Sequence, residues 1–284
     1  MIHGCDLTGQ KQTRAELSKL TDVTHIFYVT RSSKPTELEN CHVNARMLRN
    51  VLEAHYAGPF ELWGKFPAHE PPFHEDLPRL DVPNFYYALE VKKKEGLTWS
   101  VHSLVNVISG LCVYAAICKH ERKPLKFLGS QVGWDSYWHA SDADLITEQQ
   151  IWAAVNPCTK NEAFNYSNGD VFKWKHMWKV LAEKFEFEYE EFEEEEYDDI
   201  FVPRLEEMMR DRGGVWDDIV RDKGMVATKL EEISCWWVVN ICVRFESRLD
   251  TINKSKECCF LGLRNSKKSF VSWVDKMKAY KIVP

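Results

Sequence analysis

The sequence predicts an α/β protein in which a mostly parallel sheet, built from the first half of the chain, is followed by a mostly helical second half. Two patterns indicate this: strand-like runs alternate with helix-like segments in the first half, and apolar stripes at helical spacing dominate the second. The composition is that of an ordinary globular protein, because 44% of the 284 residues are hydrophobic and the net charge is only −6. A chain of this length buries roughly 75% of its unfolded surface, enough for a large domain with a smaller lobe.

The first predicted unit is a strand followed by a helix. Residues 24–30 are a β-branched and aromatic run, which is typical of a strand buried on both faces. Thr36 and Glu39 have the spacing of a capping box, which predicts that a helix begins there. The apolar residues that follow at helical spacing are Cys41, Ala45, Leu48 and Leu52.

Two further strands complete this pattern. Residues 97–102 are predicted to form the second strand and to lead into an apolar helix over residues 104–118. Residues 125–128 are predicted to form a third, short strand. Strands that alternate with helices in this way predict a doubly wound, mostly parallel sheet.

The second half is predicted to contain amphipathic helices. Asp142 can cap a helix that carries Leu145, Trp152 and Val155, and a turn at residues 168–170 precedes the next helix. Two further stripes consist of Trp174, Met177, Trp178, Leu181 and Phe185, and of Phe270, Trp273, Val274 and Met277. We interpret all of these stripes as core-facing helix surfaces rather than as cofactor-binding motifs.

Several classes of protein are disfavoured by motifs that the sequence lacks. The nine cysteines show neither a CxxC pair nor a disulfide framework, which suits the reducing cytoplasm. The ten histidines form no HExxH motif or ligand cluster, so we predict no metal. The first residues lack the pattern of a signal peptide, and the longest uncharged run, residues 103–118, is too short to cross a bilayer. With no nucleic-acid-binding module either, we expect neither nucleic acid nor membrane as a partner.

Residues 186–199 form an acidic tract that contains ten acidic residues and no basic one. Its ten negative charges leave the rest of the chain at +4, since the net charge is −6. One interpretation is a docking surface for a basic partner. The interpretation that we favour is a solvated excursion that contains an edge strand or a loop. The positive remainder would suit a phosphate-bearing cofactor.

In a doubly wound sheet, a ligand lies beyond the carboxyl ends of the strands. Thr30 and Arg31 follow the first predicted strand and occupy that position. Asp6 follows a short run at residues 2–5 and could accept a hydrogen bond from an adenine amino group, although an aspartate at a strand end is often only a turn former. The glycine-rich phosphate motif GxxGxxG does not occur in the sequence, so nothing in it supplies the usual pyrophosphate cradle.

A second candidate is the run at residues 84–90, which contains Tyr86 and Tyr87. A phenol can donate to a carbonyl that becomes an oxyanion, provided that a nearby cation lowers its pKa. The usual cation is a lysine four residues after the tyrosine, but these positions hold Glu90 and Val91. The residues alone therefore favour a buried aromatic pair over a catalytic tyrosine.

Long motifs of the sequence resemble the progesterone 5β-reductase and iridoid synthase family, an atypical branch of the extended short-chain dehydrogenase/reductases. The resemblance covers nearly the whole chain and is most specific from residue 111 onwards. The motifs include LTDVTHIFYVT (20–30), NFYY (84–87), LCVYAAICKHE (111–121), KNEAFNYSNGDVFKWKHMWKVLAE (160–183), FLGLRNSK (260–267) and KAYKIVP (278–284).

The resemblance implies a fold and an activity. The fold is an incomplete Rossmann-like NAD(P)-binding region at residues 1–130, with a smaller, mostly helical substrate lobe at residues 131–284 whose last elements return to the core. The activity is that of an NADPH-dependent oxidoreductase that reduces the C=C bond of an enone or enal in steroid or terpenoid metabolism. The implied substrate is a small apolar carbonyl compound, and a homodimer is a further expectation.

The resemblance also assigns site residues. Tyr86 matches the catalytic tyrosine, Phe60 falls in the apolar substrate pocket, and Arg31 stands beside the substrate where an aromatic residue is usual. The implied cofactor-binding residues are Asp6, Leu7, Thr30, Ser103, Leu104 and Val105, with Cys5 beside Asp6.

The chain departs from the family at four places. It starts at what is normally the third strand, and the segment that ends in the partner lysine is absent between Ala54 and His55. Residues 89–91 shorten the helix behind the tyrosine, and His102 runs directly into Ser103 without the segment that lines the nicotinamide. We therefore expect weakened NADPH binding. The alternative is a catalytically impaired remnant that at most binds an apolar ligand or a partner.

Overall fold

A computed structural model shows how these elements fold. It describes residues 5–20, 23, 26, 28, 30, 32, 34–55, 74, 75, 77, 100, 101, 107–186, 188–190, 192, 205–244 and 249–284. Within this part, the chain forms two compact units, one from residues 1–70, 74–103 and 150–164, the other from residues 71–73, 104–149 and 165–284. The predicted domains, 1–130 and 131–284, rest on the family resemblance and stay a prediction.

The first unit contains two helices that pack against each other, α1 (Gln10–Leu17) and α2 (Glu37–His55). The predicted capping box is present, because the Thr36 hydroxyl and N–H both donate to the Glu39 carboxylate, at 2.8 and 3.1 Å. The Glu39 N–H donates back to the Thr36 hydroxyl at 3.3 Å. This cap satisfies amide groups that the first turn of a helix leaves without partners. Cys41 and Leu48 of the predicted stripe are buried.

The first unit also holds a short parallel strand pair. β1 (Ser100–Val101) pairs with β3 (Glu162–Ala163), so two residues of the predicted strand at 97–102 are confirmed. Phe164, directly after β3, packs edge-on against Trp152 with ring centroids 5.3 Å apart.

The strand predicted at residues 24–30 is not found at its described positions. Ile26, Tyr28 and Thr30 lie in no strand, and Ile26 is 39% exposed rather than buried. A strand persists only where neighbours accept and donate its backbone hydrogen bonds. In the described part of the chain, no strand pairs with these positions.

The second unit is built around α3 (Ile108–Glu121), whose residues 109–118 are all buried. This confirms the predicted apolar helix, shifted by a few residues. The helices that pack against it are α6 (Trp174–Phe185), α8 (Gly213–Asp222), α10 (Trp236–Arg244) and α12 (Ser266–Ala279). The shorter elements are α4 (Gln131–Asp135), β2 (Tyr137–Trp138), β4 (Phe172–Lys173), α7 (Leu205–Met209), α9 (Leu230–Ile233) and α11 (Asn253–Glu257).

Two buried tryptophans anchor this core and pair their indole N–H groups with backbone carbonyls. Trp178, buried in α6, donates to the Leu125 carbonyl at 3.1 Å, and Trp174 donates to the Cys242 carbonyl at 2.7 Å. Buried aromatic residues of this kind bring a large apolar surface, and their polar edge needs a partner. The predicted stripe of α6 is fully confirmed, since all five of its residues are buried.

The helix α5 (Ala143–Val155) begins where the sequence predicts. The Asp142 carboxylate accepts from the N–H groups of Asp144 and Leu145, at 2.9 and 3.3 Å. Val155 is a wrong prediction, because it is 71% exposed. Val155 is the last residue of the helix. The apolar pattern reaches this end of the helix, but the residues that bury Leu145 near its start do not cover Val155.

The strand predicted at residues 125–128 is reduced to one parallel bridge, between Leu125 and Tyr189. Tyr189 belongs to the acidic tract, and Phe192 three residues later packs edge-on against Phe127 with ring centroids 6.1 Å apart. Lys126 forms an ion pair with Glu190 at 2.9 Å. The described part of the tract thus lies along the core as an edge segment, the interpretation favoured from the sequence.

Candidate functional site

Three of the predicted site residues are among the described residues of the first unit: Asp6, Leu7 and Thr30. The Asp6 carboxylate accepts the N–H and the hydroxyl of Thr8, at 2.9 and 2.7 Å, while the Asp6 carbonyl accepts the N–H of Gly9 at 3.2 Å. These contacts close a turn that leads directly into α1. The buried Thr13 hydroxyl of α1 holds the same turn by donating to the carbonyls of Gly9 and Asp6, at 3.0 and 3.2 Å.

The Asp6 carboxylate is exposed and ionised. The hydrogen bonds from the Thr8 side chain and backbone lower its pKa below the usual value, and the positive charge of Arg46 lowers it slightly further. An ionised carboxylate is an acceptor only, so this group suits a ligand that presents N–H or O–H donors.

Asparagine side chains of α2 fix both segments that carry the predicted site residues. Asn44, fully buried, accepts the Ser32 N–H and donates to the Ser32 carbonyl, both at 2.8 Å. Asn50 donates to the Leu7 carbonyl at 2.8 Å. Asn40 accepts the Lys34 N–H at 2.7 Å.

The helix α2 therefore positions the backbone at Leu7 through Asn50 and the backbone at Ser32, just after Thr30, through Asn44. Six residues separate Asn44 from Asn50, which corresponds to about 9 Å along the helix axis. These asparagines were not among the functional residues predicted from the sequence. The signal was available, because Asn40 and Asn44 recur at helical spacing beside the apolar residues Cys41 and Leu48, and polar side chains on a buried face must find partners.

Tyr28, two residues before Thr30, is a further feature of this region. Its hydroxyl is buried and has no hydrogen-bond partner in the described part of the chain. Burial raises its pKa to about 12, so the phenol keeps its proton at neutral pH and can donate a hydrogen bond. Thr30 itself is exposed.

The remaining predicted residues lie outside the described part of the chain. They are Arg31, Phe60, Tyr86, Ser103, Leu104 and Val105. Their roles stay predictions that rest on the family resemblance.

The described residues lack two features, a cluster of metal ligands and a membrane-spanning helix. Those residues contain no group of three or more His, Cys, Asp or Glu side chains that could hold a metal ion. Nor do they contain a helix that is both long and apolar enough to span a bilayer.

Comparison with a solved structure defines the fold class. The structure is similar to that of WbmG from Bordetella bronchiseptica, solved with NAD and UDP, with a TM-score of 0.57 at 12% identity over 99% of this chain and 81% of that one. No family model matches the chain. At this identity the likeness shows the fold alone, which is the α/β fold of that protein.

Sequence relatives define the particular family. An (S)-8-oxocitronellyl enol synthase of Camptotheca acuminata is 53% identical over 99% of this chain and 80% of its own length. A 3-oxo-Δ4,5-steroid 5β-reductase of Arabidopsis thaliana is 48% identical over the same shares. The chain therefore belongs to the progesterone 5β-reductase and iridoid synthase family and is an enzyme of the oxidoreductase type.

The same comparison bears on the internal departures from the family. The alignment with the enol synthase spans 315 positions, 31 more than the 284 residues of this chain. The relative thus carries residues inside the aligned region that this chain lacks, as the sequence departures predict.

Proposed function

We propose that the chain reduces the C=C bond of an enone or enal with NADPH as reductant. The observation that carries this proposal is its similarity to two relatives, 53% and 48% identical, whose names describe related chemistry. Reduction of a 3-oxo-Δ4,5-steroid at C5 adds hydrogen to the β-carbon of an enone. The same addition to an open-chain enal yields an enol. A small apolar carbonyl compound is therefore the proposed substrate class.

In this proposal, bound NADPH supplies the hydride that adds to the β-carbon. The electron pair of the C=C bond moves toward the carbonyl, whose oxygen becomes an oxyanion. The Tyr86 phenol donates a hydrogen bond to that oxygen and stabilises it. Phe60 lines the apolar pocket, and Arg31 places a charge beside the substrate. In the family, a lysine partners this tyrosine, and that lysine has no counterpart here. Its absence removes one hydrogen-bond donor to the oxyanion and leaves the phenol with its proton.

The adenine end of the cofactor is assigned to the first unit. The exposed, ionised Asp6 carboxylate fits an adenine amino group, which can only donate. Leu7 and Thr30 belong to the segments that Asn50 and Asn44 hold. Ser103, Leu104 and Val105 are proposed to close over the cofactor. Since the sequence has no glycine-rich loop, we propose that NADPH binds more weakly than to other members of the family.

We place the enzyme in the cytoplasm. All nine cysteines are thiols rather than disulfides in the structure, which suits a reducing compartment. The homodimer stays a prediction, and size-exclusion chromatography with light scattering tests it.

Labelled cofactor tests the proposed reaction. The protein is mixed with NADPH that carries deuterium at its transferable position and with 2-cyclohexen-1-one as a simple enone, with a longer relative of the family as the positive control. We expect a saturated ketone that carries one deuterium at the β-carbon. Deuterium at the carbonyl carbon, or no product where the control gives one, would overturn the proposal.

A further inference from the structure

A cleft in the second unit lies outside the proposed reductase site. It has a volume of about 660 Å³. Pockets for small molecules have volumes of roughly 300 to 1,000 Å³. Its walls come from the last turns of α3, α6, α8 and α12 and from the segments that follow α8 and α12.

The floor of the cleft is apolar. Phe185, Ile219 and Val283 form it, each at most 3% exposed. Met225 lines one side. A ligand with an apolar chain or ring can therefore leave water by contacting this floor.

Amines surround this floor. Five lysines line the cleft, Lys119, Lys184, Lys223, Lys278 and Lys281, against the two carboxylates of Glu186 and Asp222. The cleft is thus a site of excess positive charge in a protein whose net charge is −6.

Partners within the protein neutralise only some of these charges. Lys184 is paired with Asp275 at 2.6 Å, and Lys119 lies 3.7 Å from Glu186. Asp222 is engaged by Arg221 at 3.0 Å, so it does not neutralise a lysine of the cleft. In the described part of the chain, Lys223, Lys278 and Lys281 form no ion pair.

Lys278 is the most constrained of these three amines. Its ammonium group donates to the Lys184 carbonyl at 2.8 Å and lies 4.1 Å from the centroid of the Phe185 ring. Partial burial lowers its pKa, and the charges of Lys119 and Lys184 contribute in the same direction against the opposing effect of Cys112 and Glu186. A half-buried cation beside two other ammonium groups gains free energy when an anion binds next to it.

The wall that carries Lys281 is held in place by backbone hydrogen bonds. The Lys281 carbonyl accepts the Val226 N–H at 2.9 Å, and the Ile282 N–H donates to the Met277 carbonyl at 2.8 Å. Lys281 adopts a left-handed backbone conformation with φ of 56°, which non-glycine residues rarely adopt. The cleft is therefore formed before a ligand arrives.

We propose that this cleft binds a small amphipathic anion, whose carboxylate or phosphate group meets the lysines and whose apolar chain contacts the floor. Charge and shape together select this class. An inorganic anion would leave the apolar floor exposed to water. An uncharged apolar molecule would leave the lysine amines without a bound anion.

Isothermal titration calorimetry on the full chain tests the proposal. The probes are decanoate and decyl phosphate, which distinguish a carboxylate from a phosphate ligand, with decan-1-ol and inorganic phosphate as the probes that each lack one half. We expect one site for at least one of the two amphipathic anions, with at least tenfold weaker binding of the alcohol and of inorganic phosphate. Equal binding of decan-1-ol or of inorganic phosphate would overturn the proposal, as would no binding of either anion.

Charge-removing variants locate that binding. The double variant Lys278→Gln/Lys281→Gln should weaken it at least tenfold, and the exposed Lys223→Gln, which cannot disturb the core, should weaken it about threefold. The matched control is Lys267→Gln/Lys268→Gln, which removes the same charge from exposed positions at the other end of α12. Cleft and control variants that bind the anion equally well would overturn the assignment, whatever the reductase assay shows.

Discussion

Replacing Asn44 by alanine is the most informative change in the first unit. The side chain is fully buried and makes three hydrogen bonds, two with the Ser32 backbone and one with the Asn40 carbonyl, each 2.8 Å long. Alanine removes all three and leaves the N–H and carbonyl of Ser32 without their partner. The change therefore releases the segment that follows Thr30 from α2.

The magnitude follows from these contacts. A net contribution of about 0.5 to 1.5 kcal/mol per hydrogen bond gives a destabilisation of about 2 to 4 kcal/mol. This lowers the melting temperature of the unit by roughly 4 to 16 °C. Cofactor binding must then order the released backbone, at about 1 to 2 kcal/mol for one residue. We therefore expect an NADPH dissociation constant about 5 to 30 times higher.

Thermal unfolding by circular dichroism and titration of NADPH by calorimetry measure the two effects. The control is Asn253→Ala, the same substitution at an exposed position of α11. If the Asn44 and Asn253 variants melt within 1 °C of each other and bind NADPH equally, the role given to α2 is wrong.

Three other predictions concern separate parts of the chain. Tyr86→Phe should lower kcat by roughly 10² to 10³ without changing NADPH affinity, because it removes one oxyanion donor, whereas Tyr87→Phe should change kcat less than threefold in the same steady-state assay. Asp142→Asn should flatten the loss of stability in acid. Hydrogen bonds hold the pKa of Asp142 below its usual 3.8, against the opposing effect of partial burial. The carboxylate therefore contributes folding stability that is fully present above pH 3.8 and is lost as the pH falls through the lower pKa of the folded state. Urea unfolding between pH 2.5 and 7 measures this loss. Gly133→Ala should destabilise the second unit by about 1 to 3 kcal/mol in the same unfolding assay, since the added Cβ would lie 1.9 Å from the Val243 carbonyl oxygen. Unfolding curves that match those of the unaltered protein would contradict the predictions for Asp142→Asn and Gly133→Ala.

Local signals in the sequence predicted the helices well. The capping box at Thr36 and the cap at Asp142 act within one turn of the chain, so their patterns translate directly into structure. The stripe of α6 is confirmed because its apolar residues repeat at the period of the helix itself. Caps and periodicity need no knowledge of the rest of the fold.

Features that depend on residues distant in the sequence were predicted poorly. Residues 24–30 have the composition of a strand, but a strand depends on neighbours that the sequence cannot place. Val155 follows the apolar period yet lies beyond the covered surface. Asn44 and Asn50 were missed because their partners, Ser32 and Leu7, lie 12 and 43 positions away. The family resemblance supplied the candidate site, whereas the residues alone favoured a buried aromatic pair over a catalytic tyrosine.

The most direct test of the central claim is turnover by these 284 residues. Purified protein is mixed with NADPH and either progesterone or an open-chain α,β-unsaturated dialdehyde, and the reduced nicotinamide absorbance is followed while mass spectrometry identifies the product. We expect enzyme-dependent loss of that absorbance and a product two mass units heavier that keeps its carbonyl group. No loss above the protein-free rate with either substrate, while a longer relative turns over under the same conditions, would contradict it.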